Sequence, residues 1–152
     1  MTALSLFKQL LGSLRPNIRL VFQQDSQCIP YLDVYVAKNM SVAGDMVPIM
    51  FSTYQKPHNK YLYIPFQSHH RSHVFRAFVR GELIRYAVTN TLPADFFKVA
   101  ALFKQRLLAR GYPDSFLQPI FDAITHADRQ HYLRQQQQQR QQQQQQRQCH
   151  RW

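Results

Sequence analysis

The chain has 152 residues and a formal charge of +11, with 19 Lys and Arg against 8 Asp and Glu. That length supplies one core once the Gln-rich end is set aside, and leaves no room for a second enzyme domain. Cys28 and Cys149 lie too far apart, and in too little company, for a disulfide framework or a Cys-based zinc site, and no apolar run approaches the roughly 18–20 residues that span a bilayer. A reducing intracellular setting, nuclear or cytoplasmic, with no membrane partner, is therefore expected.

Leu4, Phe7, Leu10, Leu11 and Leu14 recur at helical spacing, with Gly12, Ser13 and Pro16 punctuating the end, so one amphipathic helix is expected over residues 2–14. Lys8, Arg15 and Arg19 alternate with apolar residues ahead of the first acid, Asp25, a weak imitation of an organelle transit peptide. Two strands are expected next, over 18–24 and 30–37, forming a hairpin around Asp25, Ser26 and Gln27. In the second, Tyr31, Asp33 and Tyr35 alternate with Leu32, Val34 and Val36, so the aliphatic face should pack on the first helix. After a loop around Gly44, a third strand over 47–54 extends the sheet before a turn at Lys56 and Pro57.

From residue 71 the period becomes helical. Phe75, Val79, Leu83 and Tyr86 form an apolar stripe over 71–90, with Arg76 and Arg80 sharing a polar edge. Glu82 falls near the middle of that stripe, where an unpaired charge is costly, so Arg85 or another Arg should neutralise it. A second helix should start with Thr91 as capping hydroxyl and Pro93, carry Asp95 in its first turn, and bury Phe96, Ala100, Phe103 and Leu107. It should run to Arg110 and stop at Gly111 and Pro113. A third helix is expected from Pro119, which would break it if placed further inside, towards Leu133. The Gln tract over 135–148, interrupted only by Arg140 and Arg147, has nothing to bury and is either disordered or a solvated extension of that helix. The fold expected is α+β: an N-terminal helix with a small three-stranded antiparallel sheet over 1–66, a three-helix thumb-like or helix-turn-helix segment over 67–134, and a tail over 135–152.

Charge distribution points to a partner. Between Lys56 and Arg110 ten basic residues face only Glu82 and Asp95, and aromatic residues are interleaved with them. Cations that neutralise phosphates release condensed counterions, so Lys56, Lys60, Arg71, Arg76, Arg80 and Arg85 are candidate nucleic-acid contacts, for DNA or RNA. Tyr54, Tyr61 and Tyr63 are candidates to stack on bases, although core packing is the more usual fate of such residues. His58, His69, His70 and His73 cluster, with His69 and His73 at the four-residue spacing that suits a shared metal, but further ligands are wanting; helix capping or phosphate contact fits them better. Asp25 and Asp33, on facing strands of the expected hairpin, are the one conceivable magnesium pair. Cys28 has no activating neighbours for nucleophilic work. No cofactor or metal is expected.

Several fragments, in order, resemble the stretch that follows the catalytic carboxylates in reverse transcriptases of retroelements without long terminal repeats and of Penelope-like elements. IPYLDVYV over 29–36 is similar to the family's FLD strand; TYQKPHNKYLYIP over 53–65 comes next; SHHRS over 68–72 stands where the family often has Ser, a variable residue, then His-Pro; FVRGELIRY over 78–86 and LLARGYP over 107–113 match the helical part and its closing turn. The resemblance spans roughly residues 10–124. It implies the end of a palm and a primer-gripping hairpin, then thumb-like or helix-turn-helix material that holds template and primer. Polymerisation needs clustered carboxylates to bind two metal ions, and this sequence does not show them: Tyr31, Leu32, Asp33 and Val34 only imitate a YxDD box, because Val stands at position 34. His70 departs from the family's Pro. The expectation is a nucleic-acid-binding fragment or remnant without catalytic activity. The rivals are a protein-interaction module, self-associating through the Gln-rich tail, and a truncated reading frame with no selected function.

Overall fold

The computed structural model describes residues 3–14, 27–38 and 49–149, with side chains over 5–13, 27–38 and 49–146. The fold is α+β: helix α1 (Ala3–Leu14), strands β1 (Cys28–Tyr31), β2 (Val34–Lys38) and β3 (Ile49–Thr53), then helices α2 (Ser72–Thr89), α3 (Pro93–Ala109), α4 (Asp114–Asp122) and α5 (Arg129–Cys149), with a 3-10 turn at His126–Asp128. Among the described residues no helix is long and apolar enough to cross a membrane.

The three strands form an antiparallel sheet in the order β1-β2-β3. Val34 lies opposite Tyr31 on one side and Thr53 on the other. The hairpin is not the one expected. The run 30–37 is divided by a two-residue turn at Leu32 and Asp33, and both halves pair with each other, while the expected strand over 18–24 lies outside the described residues. Leu32 takes a positive φ of 55°, a conformation that apolar residues seldom adopt. The turn therefore carries none of the Asn-Gly signals by which such hairpins are recognised. Among the described residues the sheet's main partners are the helices that follow it. It packs through β3 on α2 and α3, and α1 leaves Leu6, Phe7 and Leu10 more than half exposed.

The core lies in the helical half. Phe75, Val79, Leu83, Tyr86 and Ala87 of α2 meet Phe96, Val99, Ala100, Phe103 and Leu107 of α3, closed by Tyr112, Leu117, Ile120, Ile124 and Tyr132. The apolar period of α2 and α3 thus became the buried face, as hydrophobic burial at roughly 25 cal/mol per Å² requires. The loop before α2 belongs to this core as well, since Tyr63, Ile64 and Phe66 pack against it. Three hydrogen bonds hold the loop to the turn after α3: Phe66 N to Arg110 O (3.2 Å), Arg110 Nε to Tyr63 O (2.9 Å) and Tyr112 Oη to Ile64 O (3.0 Å).

Two helix boundaries differ from expectation. Thr91 does not cap α3: Leu92 occupies the N-cap position without a side-chain cap, and Thr91 instead pairs with β3, its backbone N–H donating to Phe51 O (2.8 Å) and its hydroxyl accepting from Phe51 N (2.9 Å). The helix expected from Pro119 begins at Asp114, holds Pro119 in its interior, and ends at Asp122. Pro119 removes one intrahelical donor, and the burial of Leu117 and Ile120 on the core offsets that loss. The chain then turns before α5, which runs through the Gln tract.

Candidate nucleic-acid interface

Helices α2, α3 and α4 succeed one another through short turns, Asn90–Leu92 and Arg110–Pro113 in chain order. The second turn contains Gly111 at φ 84°, the left-handed conformation that glycine adopts without steric cost. Two helices joined by a turn of three or four residues containing glycine is the helix-turn-helix arrangement.

Of the six candidate contacts, Arg71, Arg76, Arg80 and Arg85 belong to α2 or its start, and Lys56 and Lys60 to the loop before it. They do not share one face. At about 100° per residue, Arg76 and Arg80 lie together on one flank of the buried stripe, with His73 beside them, whereas Arg85 emerges on the opposite flank, next to Glu82. Arg76 lies over the Phe116 ring of α4 at 5.2 Å, and α2 also packs against α5. This flank is where α2, α4 and α5 meet.

Arg85 is engaged inside the molecule. Its Nε and Nη2 donate to the two carboxylate oxygens of Glu82 at 3.0 and 2.6 Å, its guanidinium lies 5.1 Å from the Tyr86 ring, and Nη1 comes within 3.8 Å of Asp33. Burial pushes the Glu82 carboxyl up, but hydrogen bonds from Arg85 and Tyr86 outweigh it and hold the group below its usual range. The Glu82 hydrogen bond in turn raises Arg85 above its ordinary value against the cost of burial. Burial, and then the hydrogen bond to Glu82, keep the Tyr86 phenol protonated well above its ordinary range. The pairing expected between Glu82 and Arg85 is present, and it leaves Arg85 little free charge to offer a phosphate.

Lys56 stands 4.0 Å from Asp33, both largely exposed, a geometry worth little in water. Lys56, Arg85, Asp33, Tyr54 and Tyr61 line a cleft of about 370 Å³ between the sheet and α2. Lys60, Arg71, Arg76 and Arg80 are exposed and make no ion pair among the described residues.

The tyrosines divide. Tyr63 packs in the core against Phe78 and Phe103, with ring centroids 5.6 and 5.2 Å away. Tyr54 meets Tyr35 edge-on at 4.7 Å. Tyr61 carries the Arg106 guanidinium 3.6 Å from its ring centre. Arg106 also donates from Nη2 to Gln55 Oε1 at 2.8 Å, while its Nη1 and Gln55 Nε2 are buried without a partner among the described residues. Arg106 and Arg110 are contacts that the sequence pattern did not mark. Arg106 lies in the last turn of α3 and Arg110 directly after it; both hold the loop before α2, and only their proximity to an aromatic-rich segment hinted at it.

His58, His69, His70 and His73 are exposed, and His70 shares a 2.9 Å hydrogen bond with Ser68. Among the described residues no group of three or more His, Cys, Asp and Glu is placed to hold a metal ion. Asp33 faces Lys56 and Arg85, and Asp25 lies outside the described residues.

The second helix of the pair, α4, carries Asp114 and Asp122 on its exposed surface. Lys104 neutralises the first at 2.8 Å, and Gln118 donates to the second at 2.8 Å. A recognition helix reads base edges from its N-terminal turn, and an aspartate there opposes the phosphates on either side of the groove. Helix α2, by contrast, carries the exposed cations Arg76 and Arg80. Comparison with known proteins gave no match among curated proteins and none among solved structures, but residues 62–122, from the loop through the end of α4, match the family model described as an animal helix-turn-helix domain.

Proposed function

We propose that this chain binds nucleic acid through its phosphate backbone, with the exposed edge of α2 as the primary contact, and that it acts as a holding segment of a retroelement-type reverse transcriptase without itself polymerising. The observation that carries the reading is the flank of Arg76 and Arg80, free of ion pairs among the described residues, within a segment that matches an animal helix-turn-helix domain. The ordered resemblance over 29–36, 53–65, 68–72, 78–86 and 107–113 supports the retroelement assignment, and four of those five fragments overlap the matched segment. Asp33, the residue that imitates a catalytic carboxylate, faces two cations, which suits a structural ion pair.

Backbone contact by Lys60, Arg71, Arg76 and Arg80 gives little sequence preference and a steep salt dependence. Four neutralised phosphates on duplex DNA correspond to a slope of about −3.6 in log K against log salt, or roughly a hundredfold loss between 50 and 200 mM salt. Fluorescence anisotropy with a labelled 20-base-pair duplex measures it. Arg76→Gln with Arg80→Gln should reduce the slope by about 1.8. Absence of binding by the unmodified chain at 50 mM salt refutes the reading.

A further inference from the structure

Helix α5 departs from the rest of the fold in composition and placement. It is 21 residues long, about 31 Å, and contains no acid. Its first turns are anchored: Tyr132 is buried against the core, and Arg129, Leu133 and Gln136 are half-buried. From Gln137 to Gln146 every residue is exposed, so the helix continues past the body with no packing partner among the described residues.

The spacing of its arginines matters here. Of its four arginines, those at positions 129, 140 and 147 are separated by eleven and seven residues, which on an α-helix places them within about 20° of a common line, while Arg134 lies about 140° away from it. That line runs beside Tyr132, on the side of α5 that meets α2. Helix α2 packs against α5, so the α5 line begins beside α2.

A protein partner is a poor fit. Beyond Leu133 the helix has no aromatic or aliphatic residue before Cys149, whereas the centre of a stable protein interface is apolar and depleted in charge. A second copy fits no better, since two such helices side by side oppose arginine to arginine with no acid between them, and coiled-coil pairing requires an apolar seam. Charge complementarity leaves a polyanion. Duplex nucleic acid presents about one negative charge per 1.7 Å of axis, so a rod of this length spans about nine base pairs and meets phosphate wherever its arginines fall.

We infer that α5 is a second phosphate-contacting arm, continuous with the α2 flank, which extends the footprint along a nucleic-acid duplex without reading its sequence. The inference rests on the nucleic-acid reading above and adds a separate element to it.

The test uses the full chain and a labelled 20-base-pair duplex, comparing Arg140→Gln/Arg147→Gln with Arg76→Gln/Arg80→Gln and with all four changes together. Glutamine extends the existing tract and retains helix propensity close to that of arginine. Each pair should lower the salt slope by about 1.8, and the four together by about 3.6, with more than tenfold weaker binding at 100 mM salt for either pair. If the α2 pair lowers the slope and the α5 pair does not, the arm is refuted while the nucleic-acid reading stands. If the unmodified chain fails to bind at 50 mM salt, both fall. Sedimentation of the same samples without duplex decides the remaining outcome: an oligomer that the α5 changes convert to monomer assigns the tail to self-association and overturns the arm.

Discussion

Replacing Asn90 with alanine tests whether sheet and helices behave as one unit. Asn90 follows α2 and is 1% exposed. Its Oδ1 accepts from the backbone N–H of Thr53 at 2.9 Å, and its Nδ2 donates to Thr53 Oγ1 at 2.9 Å and to Tyr86 O at 2.7 Å. Alanine removes all three bonds and leaves a half-buried strand donor without a partner. At about 0.5–1.5 kcal/mol for each bond, and with water able to reach only part of the site, the loss amounts to about 2–4 kcal/mol. Equilibrium urea unfolding of the full chain measures that loss, and native-state hydrogen exchange locates it. The amides of β3 should exchange faster than those of Val79 and Phe103 in the helical core. A change below about 0.5 kcal/mol, or equal acceleration of core and strand, refutes the view that Asn90 clamps the sheet to the helix pair.

Glu82→Gln should destabilise the fold by about 1–2 kcal/mol near neutral pH, since Arg85 loses a charged partner but remains partly solvated. Because the Glu82 carboxyl is held below its usual range, its contribution is fully present above the unfolded carboxylate pKa of about 4.3 and is lost as pH falls through the lower folded value. Unfolding curves of the native chain and of Glu82→Gln should therefore converge on acidification, and a constant gap from pH 7 to pH 3 contradicts the pairing. Gly111→Ala should cost about 1 kcal/mol from its positive φ alone, because a Cβ there meets only Gln67 at ordinary contact distance; a loss above about 3 kcal/mol in urea unfolding means the turn is packed more tightly than that. Asp122→Asn keeps an acceptor for Gln118 and should change duplex affinity less than twofold if α2 makes the contact. A tightening of about eightfold at 100 mM salt, the value of one charge, places α4 at the phosphates instead.

The helical half was legible because its signals are local and mutually consistent. The apolar period of Phe75, Val79, Leu83 and Tyr86, the proline at α3's start and the glycine after its end each act within a few residues, and burial confirms the faces they define. The hairpin was not legible. Leu32 adopts a left-handed conformation on account of the pairing around it, and no single-residue preference anticipates that. Thr91 read as a cap by type and position, yet β3 offered its hydroxyl a backbone donor from forty residues away. Pro119 marked a boundary by the usual rule, and tertiary burial of Leu117 overrode it. The six candidate cations were identified by charge density, which carries no information about direction.

Direction is what separates scaffold from grip. Arg85 binds Glu82, Lys104 binds Asp114, Arg106 covers Tyr61, and Arg110 holds the Tyr63 carbonyl. These four cations act on the protein itself, and three of them secure the loop or the turn that sets α2 against α3 and α4. The exposed Arg76 and Arg80 on α2 make no ion pair among the described residues, although Arg76 keeps a ring contact with Phe116 at 5.2 Å. Arg76 and Arg80, four residues apart on one helix face, repel each other by a few tenths of a kcal/mol. A pair kept at that cost, on the one flank of α2 that leads into an acid-free helix, is relieved when a phosphate sits between its members. On the proposed reading, binding and folding draw on different arginines, and substitutions on the two sets should separate cleanly into losses of affinity and losses of stability.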